Sequence, residues 1–175
     1  MVYNIVKVAQ KGEKRGEIPC FYLPSAKTKE GRANPVLGGT FQHNVDAKNR
    51  FFVPAKMRDD LGQTFIVAKS FRDPCLKVYS LKGWDAYLDL IRHQNRNLSE
   101  RAMRFLNESM TQAEPDAQGR IVLPQALVDY AGIKKSALII GCGDYAEIWN
   151  EETYRKQAES VDLAAMIAEL EALGL

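Results

Sequence analysis

Asp46-Ala47-Lys48-Asn49-Arg50-Phe51-Phe52-Val53-Pro54 and Asp116-Ala117-Gln118-Gly119-Arg120-Ile121-Val122-Leu123-Pro124 are two versions of one segment, 70 residues apart. The same offset carries Asp59 onto Asp129 and Gly62 onto Gly132, which with Asp, Ala, Arg and Pro makes six identities in seventeen positions. It also lays Val78 on Ile148 and Tyr79 on Trp149, so apolar character persists over the whole unit. An internal repeat of this kind decides the fold before any single element does.

Each copy has a physical reading. Before the first turn, Phe41, His43 and Val45 alternate with Gln42 and Asn44, the period of a half-buried strand. Asp46 or Asp116 then initiates a reversal by accepting from backbone N–H groups just downstream, and Asn49 or Gly119 supplies the residue that tolerates positive φ. Arg50 to Val53 and Arg120 to Leu123 read as the return strands of two hairpins. Pro54 and Pro124 suit the first helical position, where no N–H is needed, and Gly62 and Gly132 suit the C-terminal cap, giving helices of about two turns. A second strand pair follows each helix: Thr64 to Ala68 with Leu76 to Tyr79, and Ala137 to Ile140 with Glu147 to Trp149. Gly141-Cys142-Gly143-Asp144 has no helix after it and reads as a turn, not a phosphate loop.

Outward from the repeats, Trp84, Tyr87, Leu88 and Ile91 lie at helical spacing, and Ser99 is expected to cap a second helix bearing Met103, Leu106 and Met110. Asn150 is expected to cap a third helix, with Glu151 and Glu152 in its first turn. Leu163, Met166, Ile167, Leu170 and Leu173 then form an apolar stripe that either docks on a partner chain or packs on its own subunit. The expected organisation is an N-terminal extension over 1–38 that need not be ordered, a first repeat over 39–92, a linking helix over 93–110, a second repeat over 111–155, and an acidic amphipathic tail over 156–175.

The chain has 175 residues, 46% of them hydrophobic, enough to bury a real core. Its three cysteines, Cys20, Cys75 and Cys142, form neither a disulfide framework nor a zinc knuckle. Val2 to Val8 is too short and too polar for a signal segment, and no stretch approaches a membrane span, which points to the cytoplasm. Charge is lopsided. Residues 1–38 hold seven Lys/Arg against three Glu and 39–110 hold twelve against eight acids, whereas 111–150 hold three against five and 151–175 two against six. A basic first half suits a polyanionic partner for one face, although solvated surface charge explains it equally well.

Catalytic chemistry is not organised in this sequence. His43 and His93, the two histidines, lack Cys or carboxylate neighbours at ligand spacing, and Asp46 and Asp116 are explained by the turns they initiate. No cofactor is implied. The cations are better arranged: Lys48 and Arg50 flank the first turn, and Lys56 and Arg58 are expected to reach the same side. The second copy keeps Arg120, but Gln118, Gln125 and Val128 differ from the turn and helix residues of the first. A two-stranded ribbon fits the major groove of B-DNA, where Arg bonds guanine bidentately and Lys takes phosphates or base acceptors. Arg50 and Arg120 have a second role open to them, pairing with Asp46 and Asp116 to lock the turns; the two roles are compatible.

Over Gly38 to about Arg155 the sequence resembles the MraZ family of bacterial transcriptional regulators, whose halves each resemble an AbrB-type swapped-hairpin domain. The duplicated Asp-Ala-x-Gly-Arg turns, Phe51-Phe52-Val53-Pro54-Ala55-Lys56, and Ile139-Ile140-Gly141 followed by Glu147-Ile148-Trp149 carry the resemblance. It implies a mixed α+β, β-rich fold of two pseudo-symmetric double-split β-barrel units linked by helices, and a closed-ring homo-oligomer associated with the nucleoid. It also implies binding to double-stranded DNA at direct repeats upstream of a division and cell-wall gene cluster, with repression of the protein's own operon. Lys48 and Arg50 match the family's DNA-reading turn. The sequence departs at Asn49, where the family has Gly. The alternative is an AbrB-like antitoxin or interaction module that acts through the acidic tail, Glu159 to Leu175.

Overall fold

The structure is a computed structural model, and it describes residues 36–175. The expectation for the N-terminal extension, up to residue 35, lies outside the described residues. In chain order the elements are β1 (Leu37–Asn44), β2 (Arg50–Phe52), α1 (Ala55–Leu61), β3 (Phe65–Lys69), β4 (Cys75–Ser80), α2 (Leu81–Arg92) and α3 (Arg96–Ser109). The second half repeats the order with β5 (Thr111–Ala113), β6 (Arg120–Val122), α4 (Gln125–Tyr130), β7 (Ser136–Gly143), β8 (Ala146–Asn150), α5 (Glu151–Glu159) and α6 (Leu163–Ala172).

Strand pairing differs from two self-contained hairpins. Only the base of the first turn is paired locally, by a bridge between Val45 and Phe51. Pro54, which has no N–H to donate, follows β2 after one residue and prevents it from running on as a long partner. The eight residues of β1 therefore pair with the eight of β7, from Leu37 opposite Gly143 to Asn44 opposite Ser136. In the same way β5 pairs with β3 of the first copy. The six-stranded antiparallel sheet runs β1-β7-β8-β4-β3-β5, and β2 pairs with β6 in a separate ribbon. Exchanging equivalent strands of the two copies reverses this order without changing it, so a pseudo-twofold axis passes between β4 and β8. Each copy lends its first strand to the other, and neither closes its sheet alone. Gly141 permits one such crossing, since a Cβ there would collide with the backbone of Leu37 and Gly38.

The core follows from the exchange. Phe51, Val53, Met57, Phe65, Leu76 and Val78 from the first copy and Ile121, Leu123, Leu127, Ile139 and Ile148 from the second form one buried cluster. Truncating a side chain such as Phe51, which is 0% exposed, costs on the order of 3–5 kcal/mol in cores of this density. On the outer face of the sheet, α2 and α3 cover Ile66, Ala68 and Tyr79 through Trp84, Leu88, Ile91 and Leu106. Across the pseudo-axis a smaller cluster holds Cys75, Leu138 and Trp149, with Tyr154 of α5 against it.

Several boundaries move by a few residues. Pro54 and Pro124 occupy the N-cap positions of α1 and α4, one residue before the position expected for them. Gly62 closes α1 at φ 88°, and Gly132 follows Ala131, the C-cap of α4, at φ 60°. Asn95, not Ser99, caps α3: its side chain accepts from Leu98 N at 3.0 Å, so the helix begins earlier and Ser99 lies inside it. Asn150 caps α5 as expected, accepting from Thr153 N at 3.0 Å. Strand β7 continues through Gly143, and the reversal falls at Asp144-Tyr145, with Cys142 N bonded to Tyr145 O at 2.8 Å. No helix among the described residues is long and apolar enough to cross a membrane.

Candidate nucleic-acid interface

Both turns are held by the aspartate that begins them. Asp46 Oδ1 accepts from Lys48 N and Arg50 N, each at 2.9 Å, and Oδ2 accepts from Arg50 Nε at 2.6 Å. Asp116 repeats the pattern with Gln118 N and Arg120 N at 2.9 Å, but its Oδ2 takes both Arg120 Nε at 2.9 Å and Nη2 at 2.7 Å. Hydrogen bonding to the charged form favours it. The Arg50 backbone N–H, with Arg50's side chain and Lys48 N adding to it, lowers the Asp46 carboxyl from its usual range. Asp116, bonded first by the Arg120 side chain, is lowered to about 2. The arginine–aspartate pairing raised as an alternative role is therefore present in both turns.

The left-handed residue of each turn contacts the other copy. Asn49, at φ 56°, is the non-glycine residue with positive φ among the described residues, and Gly119 stands at φ 78°. Leu123 N donates to Asn49 O at 2.9 Å, and Val53 N donates to Gly119 O at 3.0 Å. Asn49 Nδ2 also donates to Gln125 Oε1 at 2.8 Å, and Gln125 Nε2 donates on to Asp129 Oδ1 at 2.7 Å. The first turn thus rests on α4 and the second on α1.

That arrangement redistributes the cations. Arg58 donates through Nε to Val53 O at 3.1 Å, and its guanidinium lies against Gly119, so it supports the second turn. Arg58 reaches the second turn because α1 leaves β2 at the end where Arg120 pairs. Lys56 is exposed on that same short helix, and Lys48 is exposed at the first turn; neither ammonium has an ion-pair partner among the described residues.

Register fixes the outward face of the ribbon. Phe51 faces Ile121 and both point inward, 0% and 1% exposed. Arg50, opposite Val122, and Arg120, opposite Phe52, therefore share the opposite face at diagonal corners. With a rise of about 3.4 Å per residue and a strand spacing of about 4.8 Å, their backbones stand about 8 Å apart. Exposed Lys134 and Lys135 add two further cations: Val45 N donates to Lys135 O at 2.9 Å, which sets this loop at the base of the first turn. The lysine pair is visible in the sequence, but its position depends on the β1–β7 exchange.

His43 packs its ring edge against Phe52, centroids 4.9 Å apart, and its Nε2 is buried without a hydrogen bond, so burial lowers its pKa. His93 ends α2 with Nδ1 2.6 Å from Asp89 O. Cys75 is buried, which pushes its thiol up to about 12. No group of His, Cys, Asp or Glu among the described residues is arranged to hold a metal ion.

Comparison with known proteins gives a consistent result. The family described as "MraZ protein, putative antitoxin-like" matches the chain twice, over residues 36–106 and 108–172, one match for each copy of the repeat. The chain is 35% identical over 144 residues to a transcriptional regulator of that family from Caldicellulosiruptor bescii, covering 80% of this chain and 100% of the relative. A relative from Symbiobacterium thermophilum with the same description is 40% identical over 136 residues, covering 75% of this chain and 96% of its own length.

Proposed function

Because the chain belongs to the MraZ family, we propose that it is a sequence-specific DNA-binding transcriptional regulator, not an enzyme, that lays the outward face of the β2–β6 ribbon and its two turns into the major groove. The observation that carries this reading is the placement of Arg50 and Arg120 on one exposed ribbon face, each oriented by its own aspartate. An Arg held in this way presents its remaining N–H groups with little rotational freedom left to lose, which suits bidentate recognition of guanine. Lys48, Lys56 and the Lys134–Lys135 loop surround that face and supply phosphate contacts. Arg58 contributes through the second turn.

The finer reading is that each half corresponds to an AbrB-like double-split barrel with an exchanged strand, and that several subunits form a closed ring. Their turns then engage successive direct repeats in the promoter of the protein's own division and cell-wall operon, repressing it. Individually weak contacts add through such linkage. The palindromic strand order supports the paired halves, and the family supports the setting, cytoplasmic and nucleoid-associated.

Selection on random duplex DNA with the wild-type protein, Arg50→Ala and Arg120→Ala side by side tests the proposal. Wild type should enrich a short motif in tandem, and Arg50→Ala should enrich none while keeping its assembly state. Enrichment of the same motif by both variants would overturn it.

A further inference from the structure

The two halves share the order strand, helix, helix, but their last helices have different fates. In the first half, α3 folds back on α2 and β3, with Leu106 1% exposed and Met103 and Phe105 packed beside it. In the second half, α6 has no buried residue: Leu163 is 59% exposed, Met166 43%, Ile167 45% and Leu170 41%. These four lie at the i, i+3, i+4, i+7 spacing of one face, and Ala164, Ala165, Ala168 and Ala172 make the opposite face apolar as well. Only Glu169 and Glu171, on its flanks, interrupt this apolar surface; such a helix belongs in a packed setting, and one of ten residues is marginal alone in water.

The seat for α6 in its own half is smaller than the one α3 occupies, because α5 has nine residues and α2 has twelve. Register puts Leu138 where β3 has Ile66, in the cluster against which Tyr154 packs, while α5 has Ala158 where α2 has Leu88 and Val161, 52% exposed, lies where α2 has Ile91. The α2–α3 corner has the opposite character. Leu90 and Leu98, 39% and 45% exposed, stand three residues to either side of the His93–Asn95 connection, among Arg92, Arg96, Arg101 and Arg104. Arg101 and Arg104 have no ion pair among the described residues, whereas residues 157–175 carry Glu159, Asp162, Glu169 and Glu171 and no cation.

We infer that α6 of one subunit docks on the α2–α3 corner of a second copy of this chain, its apolar stripe on Leu90 and Leu98 and its carboxylates toward the arginines. The inference rests on the proposed self-assembly and specifies its contact. Donor and acceptor are different patches, so the contact is heterologous and propagates head to tail from one copy to the next.

Two full-length variants test it, with mass in solution measured without DNA. Ile167→Asp/Leu170→Asp disables the donor and Leu90→Asp/Leu98→Asp disables the acceptor; all four side chains lie outside the buried core, and the milder Leu→Ser and Ile→Ser versions serve if a melting curve shows lost structure. Wild type should be multimeric and each variant alone a single chain. An equimolar mixture should form a heterodimer and nothing larger, since one intact donor then meets one intact acceptor. A monomeric wild type, assembly retained by either variant, or a mixture that stays monomeric overturns the inference. Self-association of the acceptor variant would mean tail-to-tail contact instead, and its capture of a foreign chain would make the tail a site for another protein. None of these outcomes depends on Arg50, so failure of the DNA reading is scored separately.

Discussion

The guanidinium of Arg58 in the first copy lies against Gly119 in the turn of the second, so closely that a Cβ built on Gly119 would stand 2.8 Å from Arg58 Cζ. Gly119 is also at φ 78°, where a side chain is strained in any surroundings. Gly119→Ala should therefore destabilise the fold by about 1–3 kcal/mol from backbone strain, with a further loss of about 1 kcal/mol if Arg58 is displaced from Val53 O. Combining it with Arg58→Ala should recover the contact part and leave the backbone part. Urea unfolding of the four proteins in that cycle measures the split, and strict additivity would show that the two residues are not coupled.

The equivalent position in the first turn makes the complementary case. Asn49 adopts φ 56° and donates to Gln125, so its side chain offsets part of the strain that its Cβ introduces. Asn49→Ala keeps the Cβ and loses the bond, and should cost about 1–2 kcal/mol more than Asn49→Gly, which removes both the strain and the bond. Melting curves of the two variants decide it; equal stability would mean that a Cβ at this φ costs nothing.

These two positions also mark what the sequence could reveal. Turn chemistry is local: Asp46, Asn49, Arg50 and Pro54 each announce their role within nine residues, and their recurrence at Asp116 to Pro124 identifies the repeat. Partner choice is not local. The alternation through Phe41, His43 and Val45 states which face is buried, but a two-residue period says nothing about which strand lies alongside. The exchange of β1 onto β7 was therefore invisible. With it went the placement of Arg58 under the second turn and of Lys135 beside the first. Ser99 competes with Asn95 as a cap in the sequence because the polar run from Gln94 to Asn97 offers several caps of similar quality. The stripe of α6 is legible as apolar, but its smaller seat emerges only when Ala158 and Val161 are set against Leu88 and Ile91.

Acid should weaken the protein in two windows. His43 has its pKa lowered by burial, so between that value and the unfolded value near 6.5 the unfolded chain binds more protons, and stability falls as pH drops through this range. Asp46 and Asp116 are lowered by their turn hydrogen bonds; their contribution is complete above the unfolded value near 3.8 and is lost as pH falls toward their folded values, about 2 for Asp116. Midpoints in urea at a series of pH values should show both declines for wild type. The upper one should vanish in His43→Gln, and its persistence there would assign it to another group.

The arginines of the two turns are not equivalent donors. Arg120 gives both Nε and Nη2 to Asp116, whereas Arg50 gives only Nε to Asp46 and keeps both Nη groups for other acceptors. A bidentate contact to guanine needs a pair of N–H groups in one plane, and Arg50 has that pair without breaking its turn. Arg50→Ala should therefore reduce affinity for the selected motif by about 1–3 kcal/mol, with a much smaller effect on scrambled duplex, and Arg120→Ala should lose less on the motif. Arg50→Lys should not restore specificity, because one ammonium cannot both hold Asp46 and present a planar donor pair. Lys48→Ala and Lys135→Ala should weaken both duplexes alike, each lowering the salt slope by about one. Anisotropy titrations on motif and scrambled duplex at several salt concentrations separate these cases, and equal losses on the two duplexes for Arg50→Ala would reduce its role to a phosphate contact.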